Sequence, residues 1–237
     1  MSSNSSPSGA AAALRHRGRF AVVLVASLLL AVAQPLTSGL LDERGSFDVF
    51  FSLLIGAVLL LVFDEKEHRR TAFAFGLAAF LSLWASHGFD GSVGRLLLVA
   101  AHLLAACFFA FALGGILHAI FAQQASGDAV FGAVVGYLLL GIIWSLLYSA
   151  TETAFPGSFA MPALGGGDRA SGQVDRGTLG YFSFITLATV GYGDVTPTTP
   201  LARTLAWTEA ITGQFYLAIL VAGLVGFKVT QATKERE

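Results

Sequence analysis

Apolar residues along this chain come in blocks rather than stripes. The first block runs from Phe20 to about Leu41 and is dented by Gln34-Pro35. The second is Phe47–Phe63 and the third Thr71–Ser86. The fourth runs from about Val93 to Ala122, the fifth is Val130–Ala150 and the sixth Leu201–Phe227. A helix that crosses a bilayer needs about 20 predominantly apolar residues, with a range of about 17–25. The second and third blocks are short by that measure and the fourth is long. Every face of each block is apolar, so helical periodicity adds nothing to the reading. The pattern predicts six spanning helices.

Composition agrees. The chain has 237 residues, 55% of them hydrophobic and 12% charged. A soluble domain carries about twice that charge fraction, so the expectation is an integral membrane protein with lipid around it. The net charge of −1 says nothing about nucleic acid, but there is no basic stripe, so no nucleic-acid partner is expected. Cys107 is the one cysteine, so there is no disulfide framework, and it reads as a small apolar packing residue.

Lysine and arginine set the topology. Arg15, Arg17 and Arg19 precede the first block, Lys66, Arg69 and Arg70 lie between the second and third, and Lys228, Lys234 and Arg236 follow the last. The links around Glu43 and Gly91 carry only Arg44 and Arg95. The positive-inside rule then puts both termini in the cytoplasm, which requires an even number of spans. Residues 1–19 read as a disordered cytoplasmic tail and 228–237 as a cytoplasmic C-terminal tail. One alternative stays open. The basic RHRGR, a short apolar core and Ala31-Val32-Ala33 resemble a cleavable secretory signal, whose removal would leave five spans.

Between the fifth and sixth blocks lies a polar, Gly-rich stretch, residues 151–177, and then a short apolar one, TLGYFSFITLA, residues 178–188. Eleven residues make about 16 Å of helix, too short to cross. Such a helix can enter halfway, and the following TVGYGD must then return to the outside. Glycine costs about 1 kcal/mol against alanine within a helix, so this return is not helix. Non-helical backbone at membrane depth is tolerated only where it lines a polar cavity. A row of inward carbonyls can replace the hydration shell of a monovalent cation. Turning successive carbonyls to one side needs alternating backbone conformations, which Gly191 and Gly193 reach at little cost. Val190 and Tyr192 would pack behind the strand, and the Thr189 hydroxyl would be the innermost ligand. The short helix would also aim its negative C-terminal end at the ion.

The run TLATVGYGD resembles the signature of potassium channels, whose filters read T-V-G-Y-G-D. The likeness covers residues 130–227, as outer helix, pore helix, filter and inner helix. It implies that Thr189, Val190, Gly191 and Tyr192 coordinate potassium, with Gly193 at the outer mouth. It implies that Asp194 braces that mouth and that Tyr181 and Phe182 form an aromatic cuff. Some members have a pore-helix Glu that pairs with the filter Asp. Ile185 stands at that position here, so Asp194 needs another partner. Gly213 falls where many members have the hinge of the inner helix, and Arg203 matches a basic residue at its top. One filter motif per chain implies a homotetramer.

Residues 20–122 form a four-span region with no family likeness. Moving one charge across 100 mV supplies only about 2.3 kcal/mol, so a voltage sensor needs several charges. The fourth block has Arg95 at its edge, with His102 and His118, and no arginine ladder. Steep voltage gating is not expected, nor a ligand-binding module in the residues after Phe227. Glu209 lies one turn before Gly213 and is either a proton-sensitive acid or one bonded to the pore helix or to Thr208 or Thr212. The structural role is the expected one. His102 could titrate near neutral pH, but it reads as a packed, hydrogen-bonded histidine. Glu152 and Asp168 read as a solvated, cation-attracting vestibule. The expectation is thus an all-α integral membrane protein of six spans with a re-entrant pore helix. It would be a tetrameric potassium channel of the cell membrane, not an enzyme, needing no cofactor beyond the transported ion. A potassium uptake subunit and a non-conducting regulatory subunit are the alternatives.

Overall fold

The computed structural model describes residues 43–61, 66–122, 127–161 and 174–234. Among them the element order is α1 (Glu43–Leu61), α2 (Lys66–Ser86), α3 (Gly91–Ala122), α4 (Gly127–Ala154), β1 (Phe159–Ala160), α5 (Arg176–Leu187), β2 (Thr196–Pro197) and α6 (Pro200–Lys234). The second to sixth apolar blocks thus become α1, α2, α3, α4 and α6, and the short apolar stretch becomes α5. The first block, its signal-like end and Asp168 lie outside the described residues. Among the described residues two stretches are long and apolar enough to cross a membrane, Gly91–His118 and Val130–Ala154, and Arg70–Ser86 is apolar but shorter.

Consecutive helices pack on one another from α1 to α4, and α4 also packs on α5 and α6. The helix α4 therefore has two buried faces. Val135, Leu139, Ile143 and Leu146 belong to a core shared with α1, α2 and α3, where Phe108 and Phe109 are fully enclosed. Leu140, Trp144 and Tyr148, at spacings of one helical turn, belong to a second core with Leu179, Phe182 and Leu187 of α5. In lipid such helices gain little from leaving apolar surroundings. Close packing and internal hydrogen bonds hold them together instead.

Local chemistry sets the ends of the two elements that matter most. Asp175 caps α5, its carboxylate accepting from the Thr178 amide at 2.9 Å. This cap starts α5 two residues before the apolar stretch begins. Pro200 takes the first position of α6, where its missing N–H costs nothing, and the Thr199 hydroxyl accepts from the Ala202 amide at 3.3 Å. Before and after α5, the strands β1 and β2 form a short antiparallel ladder, with Phe159 opposite Pro197 and Ala160 opposite Thr196. The ladder pins the stretch before α5 to the one that returns from it.

Candidate functional site

The segment after α5 folds back onto the helix that precedes it. The Thr189 amide donates to Thr186 O at 2.9 Å, and the Val190 and Gly191 amides both donate to Ile185 O, at 2.8 and 3.2 Å. The carbonyls left over at the end of a helix are thereby partly satisfied. Three residues have positive φ, at every second position: Thr189 at 57°, Gly191 at 53° and Gly193 at 79°. At Thr189 no glycine marks the conformation, and a side chain there costs about 1–2 kcal/mol. Among the described residues, none donates a hydrogen bond to the carbonyl oxygens of Thr189, Val190, Gly191 or Tyr192. In the single chain Val190 is 50% and Tyr192 73% exposed, so the strand edges an open face.

Asp194 finds its partner on α5. The Tyr181 hydroxyl donates to Asp194 Oδ2 at 2.7 Å. That hydrogen bond to the carboxylate pushes the Tyr181 hydroxyl up to about 12. Phe182, the next residue, turns inward, and its ring stands 5.2 Å from Tyr148 and 5.5 Å from Phe159.

Behind α5 lies a buried polar contact between three helices. Glu209 of α6 is fully enclosed. Its Oε1 accepts from the Ser183 hydroxyl of α5 at 2.6 Å, and its Oε2 accepts from the Tyr148 hydroxyl of α4. Ser183 also lies 2.7 Å from Gly141 O, so its single proton has two acceptors in reach. Thr208 and Thr212 bond instead to carbonyls of their own helix, Thr204 O and Thr208 O. Neither Ser183 nor Tyr148 stood out in the sequence. A hydroxyl inside an apolar block was the available signal.

Gly213, one turn along α6, passes directly beneath the end of α5. A Cβ placed there would meet Leu187 O at 2.6 Å and Leu187 Cδ1 at 2.9 Å. Its small size thus has a packing reason at the base of the strand, beside the hinge role that resemblance implies. Arg203 lies at the other end of α6, its Nε donating to Pro197 O at 3.3 Å.

Three expectations fare differently. Glu152 does not line a solvated vestibule. It is 2% exposed, and its two oxygens accept from the Gly157 and Phe159 amides at 2.9 and 3.0 Å. The helix α4 runs on to Ala154, past the end of the apolar block, so Glu152 is part of its last turn. His102 is packed as expected, 2% exposed, but neither ring nitrogen has a hydrogen-bond partner among the described residues. Cys107 is exposed on α3 rather than packed.

Residues 130–228 match the family model described as ion channel. The chain is similar to a protein of Oryza sativa subsp. japonica named two pore potassium channel c, 40% identical over 47 residues, which are 20% of this chain and 10% of that one. It is also similar to the inward rectifier potassium channel Kirbac3.1 of Paramagnetospirillum magnetotacticum, 34% identical over 101 residues, 41% of this chain and 28% of that one. The chain thus spans less than a third of the length of either relative. The family-model match runs from α4 through α5 and its return strand into α6.

Proposed function

We propose that this chain is one subunit of a homotetrameric, potassium-selective channel that conducts passively through a filter built from Thr189, Val190, Gly191, Tyr192 and Gly193. One observation carries the proposal. Alternate residues have positive φ, and a run of successive carbonyls accepts no hydrogen bond from the described residues. The strand is exposed in the single chain, and unpaired backbone at membrane depth is tolerated only where it lines a polar cavity. A dehydrated monovalent cation is a partner of suitable charge and size. One chain supplies one such strand, so a ring around an ion takes four copies. Exposed apolar residues at one-turn spacing on α6, Trp207, Ile211, Phe215 and Ile219, offer a face for lipid, pore or neighbouring subunit.

In this reading, Asp194 and Tyr181 brace the outer mouth, Phe182 supports the filter from the core and Gly213 lets α6 approach and bend. The pore module is residues 130–227, the N-terminal region 20–122, and both termini are cytoplasmic. Opening is not steeply voltage-dependent, because α3 carries Arg95 as its one arginine. The test is cation flux into liposomes holding the purified protein, potassium against sodium, wild type against Gly191→Ser. Potassium-selective flux that the substitution removes is the expected result. Equal flux of both ions, or selective flux that survives the substitution, refutes the filter assignment. No flux from wild type favours a non-conducting subunit.

A further inference from the structure

Three elements far apart in the chain bring polar ends to one buried carboxylate. Asp48, in the second turn of α1, has a side chain only 2% exposed. Arg176 Nη1 donates to its Oδ1 at 2.6 Å, and His87 Nε2 lies 2.8 Å from its Oδ2. A carboxylate at that depth is unfavourable unless it is paired.

The helix dipole accounts for His87, just past the end of α2, where a base is favoured; Asp48, in the second turn of α1, lies beyond its reach. Arg176 is the first residue of α5, where a cation opposes the dipole. Its own helix therefore does not favour it, whereas the Asp48 carboxylate does. Arg176 also stands next to the Asp175 cap, the point at which α5 is anchored. From there α5 runs only 12 residues to Leu187, and the carbonyl of Ile185 holds the amides of Val190 and Gly191. A shift at one end of so short a helix is delivered to the other.

We propose that Asp48 and Arg176 are positioning residues for the filter. Through this ion pair α1 and α2 hold the entry end of α5, His87 closes the pair on its solvent side, and the geometry of strand 189–193 is set in part from the N-terminal region. This gives that region a task in a channel without a voltage sensor. It rests on the reading of α5 and its return strand as pore helix and filter.

The test is the thermal unfolding midpoint of the full-length protein in detergent, in potassium chloride and in sodium chloride of equal concentration. The readout is the increment, potassium minus sodium. Wild type is expected to show a clear increment. Asp48→Asn and Arg176→Gln are expected to lose at least half of it, and Arg176→Lys to keep most of it. A contact that merely holds helices together lowers both midpoints alike and leaves the increment intact, and that result overturns the proposal. Should the first two variants not fold, His87→Gln decides, because that side chain is 45% exposed. A reduced increment supports the proposal and an unchanged one overturns it. A wild type with no increment refutes the filter reading itself, and the proposal falls with it.

Discussion

Glu209 offers the sharpest test of how the pore module is held together. It joins α4, α5 and α6 through two hydroxyls, those of Tyr148 and Ser183, and all three residues are buried. Glu209→Ala removes both bonds and leaves a cavity. Ser183 can still donate to Gly141 O, but Tyr148 loses the partner of its hydroxyl. A buried donor left unsatisfied costs about 1–3 kcal/mol, and the cavity adds to it, so the total is about 2–5 kcal/mol. Glu209→Gln has a different effect. Its amide oxygen accepts from Tyr148, its amide nitrogen donates to the Ser183 oxygen, and Ser183 gives its proton to Gly141 O. One amide N–H of Gln is left without a partner at the site, but no cavity opens, so the cost is about 1–3 kcal/mol. For a chain of this size, 1 kcal/mol moves the midpoint by about 2–4 °C. Glu209→Ala is therefore expected to melt about 4–20 °C below wild type, and Glu209→Gln about 2–12 °C below it and above Glu209→Ala. If Gln is as damaging as Ala, the charge and not the hydrogen-bond geometry is what the site requires, and the reasoning fails. The same Gln variant separates a brace from a sensor. Loss of the pH dependence of open probability makes Glu209 a proton sensor, and unchanged dependence leaves it structural.

Two further predictions follow from contacts of α5. Gly213→Ala sets a methyl against the Leu187 carbonyl, a backbone group that cannot swing aside. Overpacking of this kind costs about 1–3 kcal/mol, and a displaced strand base should lower potassium selectivity in the flux assay; full selectivity and an unchanged melt refute the close approach. Tyr181→Phe should shorten the conducting lifetime by removing the hydrogen bond that ties Asp194 to α5, without loss of the fold; the Val195 amide still donates to Asp194 Oδ1. The hydroxyl of Tyr181 is pushed up to about 12, so its bond is complete below the ordinary tyrosine value of about 10 and is lost as pH rises toward 12. A wild-type flux step between pH 7 and 9 that Tyr181→Phe abolishes contradicts this assignment.

What could be read in advance depended on whether residue type carried the chemistry. Glycine at 191 and 193 announced positive φ, because few other residues adopt it cheaply. Thr189 shares that conformation, yet a threonine announces nothing. An acid within an apolar block marked Glu209, but its partners Ser183 and Tyr148 are 26 and 61 residues away, and only packing brings them together. Asp48 and Arg176, 128 residues apart, were silent for the same reason. Glu152 was misread because polar residues at a helix end carry no hydrophobic signal, so the last turn of α4 looked like loop. The blocks themselves were legible, since lipid demands long apolar runs, whereas their ends shifted by a few residues wherever caps such as Asp175 decided.

Position 185 has a mutational consequence. There the carbonyl of Ile185 receives two amides of the return strand, and a carbonyl is the one feature that every amino acid inherits alike. Mutation can exchange the side chain, glutamate for isoleucine included, without touching the bond that ties helix to strand. The tie between helix and strand is therefore insensitive to which side chain stands at 185, and Asp194 is held separately, by Tyr181.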